Sequence, residues 1–245
     1  MLATRNIAAI LGLLCLATVA VSLSPDHTAM LRFTGSWSGQ TCRDASWTTS
    51  TPVCQWNGVT CTGDRVSTFD WENGGCVGTF NASNLPTAIQ KVLLFYNQLS
   101  GVLDLTMLPV TLQVLGVDGN AFTGTLDLTQ LPAGLESLFL AGNQFYGVPN
   151  MTKLGAGLKH LYLSGNQLSG TPDLSSLPSG IKTLYLYNNQ FSGTPYLFGL
   201  PTGLQGLYLE GNDFCGYAPT DASCDILSLP TNCTCSLLNV TCPAC

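Results

Sequence analysis

Asparagine recurs at a single fixed interval through the middle of the chain, and this period constrains the fold more than any other feature. The apolar residues around each copy keep one register, as in Leu135-x-x-Leu138-x-Leu140-x-x-Asn143-x-Phe145-x-Gly147. Because a fixed period of about 20–50 residues is typical of stacked, equivalent coils, the sequence predicts a solenoid. The asparagines that stand 23 residues apart are Asn97, Asn120, Asn143, Asn166, Asn189 and Asn212.

The frame around each asparagine predicts the path of one coil. The alternation of Leu138 and Leu140 predicts a short strand with one buried face, and stacked copies of that strand form a parallel sheet. The asparagine amide both donates and accepts hydrogen bonds, so it suits the backbone groups that are exposed where the chain turns out of the strand. The glycine four residues later suits a bend with positive φ.

The return segment of each coil is predicted to lack a regular helix. Pro132, Pro178 and Pro201 lie in it, and proline disrupts a helix interior. A coil of 23 residues is therefore expected to return through extended or 3₁₀ structure. A degenerate copy begins at Val66, which makes about seven coils, and their strands, about 4.8 Å apart, form a sheet roughly 30 Å across.

Residues 1–22 have the features of a secretory signal peptide. Arg5 precedes an almost wholly apolar stretch from residue 7 to residue 21, and Ala20 and Ser22 are small residues placed for cleavage. The alternative is a signal anchor that stays attached. No other stretch is long and apolar enough to span a bilayer.

The cysteines agree with secretion. Cys15 lies in the signal segment, and the other ten of the eleven form two even groups, which in an oxidising compartment pair as disulfides. The pairing stays open, with three arrangements for four cysteines and fifteen for six. A zinc site is the alternative, but no histidine lies near the short spacings. The two groups are Cys42, Cys54, Cys61 and Cys76, then Cys215, Cys224, Cys233, Cys235, Cys242 and Cys245.

The two cysteine groups stand where a solenoid needs caps over its open ends. We therefore divide the chain into a signal peptide (1–22), an N-terminal cysteine-containing cap (23–64), the repeats (65–214) and a C-terminal cysteine-rich cap (215–245). A short helix from Thr28 to Phe33 is expected in the first cap.

The segment Cys54-Gln-Trp56-Asn-Gly58-Val59-Thr-Cys61 resembles the N-terminal cap of extracellular leucine-rich-repeat proteins. The predicted fold is thus an α/β-type leucine-rich-repeat solenoid, with a short parallel β-sheet on the concave face, a mostly non-helical convex side and disulfide-rich caps at both ends. The 23-residue copies, the Gly-Thr-Leu-Asp-Leu-Thr-x-Leu-Pro return and the cysteine-rich end look like the kinetoplastid (promastigote) surface antigen family. Plant repeats usually run one residue longer and carry a Gly-x-Ile-Pro return.

This resemblance implies a surface or shed glycoprotein that takes part in recognition. Membrane-bound members end in a lipid-anchor signal, whereas this sequence ends in Cys242-Pro-Ala-Cys245. The expectation is a secreted, extracellular protein without a membrane span after signal cleavage. The alternative is retention at the cell surface by a partner or by an uncleaved signal.

The outward positions of the strands are the candidate ligand-binding residues. Stacked aromatic rings about 4.8 Å apart present a broad apolar face with hydroxyl groups at its edge, which suits a protein partner or a sugar. The alternative is that the column only stabilises neighbouring strands through side-chain pairing. The column consists of Phe139, Tyr162, Tyr185 and Tyr208, and the outward residues beside it are Phe95, Tyr187 and His160.

Composition and motifs exclude other classes of function. The net charge is −6 and the eight Lys and Arg residues are scattered, which argues against nucleic-acid binding. Neither His27 nor His160 belongs to a triad or a metal motif, so we predict a non-enzyme without cofactor or metal. The recurring Asp104, Asp127 and Asp173 are interpreted as turn residues and not as catalytic or calcium-binding groups.

Two hypotheses about function follow. In the first, a glycoprotein binds a protein or glycan partner through its concave face. In the second, it is a structural or antigenic coat or decoy without a specific ligand. Candidate glycan sites, which both hypotheses accommodate, are the sequons at Asn81, Asn150, Asn232 and Asn239.

Overall fold

In the part of the chain that the structure describes, one α-helix is followed by a long succession of short strands. The structure, a computed structural model, describes residues 23–39, 42, 44–195, 197 and 199–215, and the backbone of 217–219, 227–228, 234–236 and 239–241. The predicted signal peptide lies outside these residues. Helix α1 spans Pro25–Thr34, and 3₁₀ turns span Val53–Gln55, Ala82–Asn84 and Leu105–Met107.

In chain order, the strands are β1 (Val59–Thr62), β2 (Arg65–Asp70), β3 (Val77–Thr79), β4 (Lys91–Leu93), β5 (Gln98–Val102), β6 (Val114–Gly116), β7 (Ala121–Gly124), β8 (Ser137–Phe139), β9 (Gln144–Gly147), β10 (His160–Tyr162), β11 (Gln167–Gly170), β12 (Thr183–Tyr185), β13 (Gln190–Gly193), β14 (Gly206–Tyr208), β15 (Asp213–Phe214), β16 (Tyr217–Pro219), β17 (Leu227–Ser228), β18 (Thr234–Ser236) and β19 (Asn239–Thr241).

The predicted solenoid sheet is present and is called here the concave sheet. Its strand order is β1-β2-β4-β6-β8-β10-β12-β14-β17, and all pairs are parallel except β1 with β2. The degenerate first copy supplies β2, and the regular copies supply β4 to β14. The central leucines stack in register, and Leu138, Leu161 and Leu184 are fully buried on the core side.

The repeated asparagines join each coil to the one before it. Asn143 Oδ1 accepts a hydrogen bond from Phe122 N at 3.0 Å, and Asn143 Nδ2 donates to Val117 O at 3.0 Å and to Leu140 O at 3.2 Å. The other five asparagines repeat this arrangement. The predicted use of the amide as both donor and acceptor is confirmed.

A second parallel sheet begins directly after each asparagine and was not predicted. Its order is β15-β13-β11-β9-β7-β5-β3. The predicted glycine bends lie in it, with positive φ at Gly101, Gly124, Gly147, Gly170 and Gly193. The apolar residue two positions after the asparagine fills the core behind this sheet, where the Phe122 and Phe145 rings stack with centroids 6.5 Å apart.

The return segments contain turns and 3₁₀ structure, as the prolines predicted. In the third copy, Leu135 N donates to Pro132 O at 2.9 Å and closes a single turn before the next strand. Within the described ranges, no helix has the length and apolar character needed to span a bilayer.

The N-terminal cap is built on α1. Ser24 caps the helix by accepting a hydrogen bond from His27 N at 3.1 Å, and Pro25 is its first residue. The helix therefore begins before the predicted Thr28. The buried Asp26 carboxylate accepts bonds from Arg65 Nε at 2.9 Å and from Val66 N at 2.8 Å, which ties α1 to β2.

The structure selects one of the three pairings of the first four cysteines. Cys42 is bonded to Cys76 and Cys54 to Cys61, so one disulfide links the cap to the first coil. Cys215 is also disulfide-bonded. Cys224, Cys233, Cys242 and Cys245 lie outside the described residues, and the side chain of Cys235 is not described, so the pairing in the second cap stays a prediction.

Replacing Asn143 by alanine should destabilise the solenoid by about 2 kcal/mol, because the buried carbonyls of Val117 and Leu140 and the amide of Phe122 lose their partner. Urea unfolding followed by circular dichroism measures this. Gln144→Ala is the control, since Gln144 is an exposed neighbour. Equal midpoints for the two variants would contradict the bridging role of the amide.

Candidate functional site

The four predicted aromatic residues form a continuous column on the concave sheet. Register places Phe139 beside Tyr162, Tyr162 beside Tyr185 and Tyr185 beside Tyr208. The ring centroids of these successive pairs are 4.8, 4.0 and 4.5 Å apart, and the middle pair is stacked with an interplanar angle of 6°. All four side chains are half-buried, so part of each ring stays open to a ligand.

Phe95 extends this column across a coil that lacks an aromatic residue. The register position in that coil is Gly116, and a Cβ there would collide with the Phe95 ring. The ring therefore lies over the glycine, with its centroid 6.0 Å from that of Phe139. The glycine thus provides the space that makes five rings continuous.

The other two predicted ligand-binding residues lie beside the column. Tyr187 is 6.0 Å from Tyr185 between ring centroids. The Nδ1 atom of His160 is 2.8 Å from Thr183 Oγ1 on the next strand. His160 thus faces outward and has a hydrogen-bonding partner within the sheet.

Burial first, and the neighbouring Tyr162 hydroxyl second, raise the pKa of Tyr185 to about 12. A phenol with so high a pKa carries no charge at neutral pH. The centre of the column is therefore apolar with neutral hydroxyl groups, which suits contact with an apolar or a cationic group better than contact with an anion.

A hollow of about 290 Å³ opens beside the aromatic column and was not predicted as a site. Its floor is made of small residues, and its walls are tyrosines. The residues that line it are Tyr96, Asp118, Gly119, Ala141, Gly142, Tyr162, Ser164, Tyr185 and Tyr187. Hollows of about 350 Å³ in the N-terminal cap and about 370 Å³ beside Thr171 are larger, but the candidate binding residues do not line them.

Tyr96 forms one wall of the hollow because of an unusual backbone conformation. Its φ is +54°, and the equivalent positions in later coils are Gly119, Gly142, Gly165, Asn188 and Gly211. Its side chain is 64% exposed, and its ring lies over Gly119. In the sequence, Tyr96 is the one tyrosine at a repeat position that glycine or asparagine occupies in the later coils. This exception is the signal from which the wall could have been predicted.

Asp118 is the charged group of the hollow. Its Oδ1 atom accepts a hydrogen bond from Ala141 N at 2.7 Å. Among the described residues, no cation forms an ion pair with it. Burial raises the pKa of Asp118 to about 6, and the bond from Ala141 opposes this only in part. At neutral pH the hollow therefore holds a partly desolvated carboxylate.

The recurring aspartates are turn residues, as predicted. Asp127 Oδ1 accepts bonds from Thr129 N at 2.9 Å and from Thr129 Oγ1 at 2.6 Å, and Asp104 and Asp173 make the same turn. The hydroxyl and the amide of Thr129 together lower the pKa of Asp127. These carboxylates are thus committed to local structure.

Two of the candidate glycan sites occupy this same turn position. Asn81 and Asn150 are exposed, and their Oδ1 atoms accept bonds from the backbone N and the hydroxyl of the residue two positions later. In both, the amide nitrogen that would carry a glycan donates no hydrogen bond to a described residue. Asn232 lies outside the described residues, and the side chain of Asn239 is not described.

Replacing Asp118 by asparagine should raise the thermal midpoint by a few degrees at pH 7.5 and by almost nothing near pH 4. The folded pKa of about 6 exceeds the ordinary 3.8, so the folded protein binds the proton more tightly than the unfolded chain does. Stability from this group is full below about pH 4 and is lost as the pH rises through 6. Asparagine keeps an acceptor for Ala141 and carries no charge.

Differential scanning fluorimetry across this pH range measures the effect. Asp213→Asn is the matched control, because it changes the net charge of the protein by the same amount at an exposed carboxylate. A midpoint for Asp118→Asn below that of the unmodified protein at pH 7.5 would show that the Asp118 carboxylate stabilises the fold.

Comparisons with known proteins agree with this architecture. Residues 23–62 match the family model described as leucine rich repeat N-terminal domain, and residues 157–178 match leucine rich repeat. The receptor-like kinase TMK4 of Arabidopsis thaliana is 33% identical over 84 residues, which are 34% of this chain and 9% of that protein. The present chain thus spans a small part of that kinase.

Solved ectodomains are similar over most of the chain. The structure of a pollen receptor kinase 3 has a TM-score of 0.64 at 26% identity and covers 81% of this chain and 100% of its own. The Arabidopsis receptor kinase HAESA, in complex with the peptide hormone IDA and the co-receptor SERK1, has a TM-score of 0.64 at 26% identity and covers 77% of this chain and 34% of its own. The chain thus has the cap, the repeats and the fold of an extracellular-type leucine-rich-repeat protein, and it resembles the ectodomains of plant receptor kinases.

Proposed function

We propose that this chain is an extracellular binding module, and not an enzyme, that engages a peptide or protein segment across its concave sheet. The observation that carries the proposal is the continuous five-ring column from Phe95 to Tyr208, whose rings are half-buried and two of which border an open hollow. Tyrosine is enriched at the centres of protein interfaces because a rigid amphipathic ring buries much area at little entropic cost.

The similarity to HAESA supports a peptide or protein over a glycan as the partner. HAESA was solved in complex with a peptide hormone and a co-receptor, both of which are polypeptides. In the present chain the column and the hollow lie side by side on one sheet, so a single extended segment can contact both. Secretion belongs to the proposal and rests on the predicted signal peptide and on the two disulfides of the first cap.

A coat or decoy glycoprotein, as the surface-antigen resemblance implies, is the second candidate. The observation that favours it is the exposure of Asn81 and Asn150 on turns away from the concave sheet. Glycans there would cover the turn edge of the solenoid and leave the aromatic column open. The two candidate functions differ in whether they need the aromatic column, because only a binding module depends on it to hold a ligand.

Replacing Tyr162 and Tyr185 together by alanine should weaken the binding of selected ligands about tenfold or more, because the stacked centre of the column is lost. The ligands are peptides selected by panning a phage-displayed library of random dodecapeptides on the full secreted chain. Biolayer interferometry gives their affinities. Tyr146→Ala is the control, since Tyr146 is exposed on β9, outside the concave sheet.

Selected peptides that bind the double variant and the unmodified protein equally well would overturn the binding proposal. So would a library that yields no saturable ligand. A modest fall in thermal midpoint is expected for the double variant, because the two rings also stack on each other, and circular dichroism at the assay temperature establishes that the variant is folded.

Replacing Asn81 and Asn150 by aspartate should remove one glycan mass each and leave the fold intact, because aspartate makes the same turn at Asp104, Asp127 and Asp173. Mass spectrometry of protein secreted by a eukaryotic host, before and after glycosidase treatment, measures occupancy. No mass change at either position would remove the main support for a glycoprotein coat.

A further inference from the structure

The hollow beside the aromatic column combines one carboxylate with aromatic walls. Asp118 lies between the exposed Tyr96 and the tyrosines of β10 and β12, and Tyr187 completes the rim. We propose that this hollow binds a cationic side chain, arginine in preference to lysine, carried by the peptide or protein segment that lies on the concave sheet. The inference rests on the proposed function and names the chemistry that the ligand must bring.

The Asp118 carboxylate retains capacity for a ligand. Its Oδ1 atom holds one bond from Ala141 N, and its Oδ2 atom accepts no hydrogen bond from the described residues. No lysine, arginine or histidine is among the residues that line the hollow. A carboxylate that is removed from water without a counterion is unfavourable, and an arriving cation offsets that cost.

The tyrosine walls of the hollow also favour a cation. A guanidinium or ammonium group is attracted to the face of a tyrosine ring, and Tyr96, Tyr162, Tyr185 and Tyr187 all border the hollow. A tyrosine of ordinary pKa is already neutral at physiological pH, and the raised pKa of Tyr185 moves that ring further from ionisation. The tyrosines thus supply attraction without competing for the proton of the cation.

The floor leaves room for a planar group. Gly119, Ala141, Gly142 and Ser164 carry the smallest side chains, and a Cβ at Gly142 would have contacts no closer than 3.5 Å. Arginine fits such a site better than lysine, because its flat guanidinium stacks on an aromatic ring while its fork of donors reaches the carboxylate. Lysine offers only a compact and strongly hydrated charge.

The charge of the surrounding sheet favours the same ligand. Among the described residues, the outward positions of the concave strands and of the turns directly after them include the acidic Asp70, Asp118 and Glu210. Two cations lie on concave strands: Lys91, and Arg65, which is already paired with Asp26. Glu210 lies in the same outward column as Asp118, four coils further on. A basic segment would thus meet negative potential along the sheet as well as in the hollow.

The peptides selected from the dodecapeptide library test this inference. Arginine should be enriched at one position, and replacing it by citrulline, which has nearly the same shape and no charge, should weaken binding to the unmodified protein about tenfold or more. Asp118→Asn should lose the same factor for the arginine peptide and bind the citrulline peptide as the unmodified protein does. This double-mutant cycle assigns the loss to the pair.

Asp213→Asn controls for net charge and should bind the arginine peptide normally. Peptides without an enriched basic residue, or an arginine peptide that Asp118→Asn binds as tightly as the unmodified protein, would overturn the inference. If such peptides still require Tyr162 and Tyr185, the proposed function stands and the cationic ligand alone is wrong.

Discussion

A buried amide that joins consecutive coils is the interaction on which the rest of the structure depends. Each coil leaves the concave sheet through a tight turn, and that turn exposes carbonyls and an amide to the core side. The asparagine of the next coil accepts a bond from that amide and donates to one of those carbonyls, and its nitrogen also donates to carbonyls of its own coil. Because the bonds to Phe122 N and Val117 O cross from one coil to its neighbour, the ladder also fixes the register of the strands.

That register is what aligns the binding column. The aromatic residues stack because equivalent residues of neighbouring strands pair in register. This pairing could be predicted from the period alone. The leucines, the bends at the glycines and the aspartate turns were predictable for the same reason, since each depends on local chemistry repeated at a fixed interval. The capping helix lies outside the repeat, and its start at Pro25 was missed.

The features that sequence reasoning missed depend on contacts between coils. The second sheet has strands as short as Asp213–Phe214, too short for an alternation to be visible. The hollow depends on a tyrosine at a positive-φ position, Tyr96, and on a glycine beneath it, Gly119. The pairing of Cys42 with Cys76 joins the cap to a coil, and spacing in the chain does not report that distance. The burial of Asp118 depends on the residues of neighbouring coils, so the sequence did not reveal it.

The turn shared by aspartates and sequons carries an evolutionary consequence. Aspartate and asparagine codons differ by one base, and both side chains present the same acceptor oxygen to the residue two positions later. Where that residue is serine or threonine, a single nucleotide change therefore creates or removes a sequon without rebuilding the turn. Successive coils are equivalent, so glycan attachment can shift from coil to coil along one edge by point mutation. The repeat architecture thus lets one outer edge diversify rapidly, while the aromatic column changes under separate constraints.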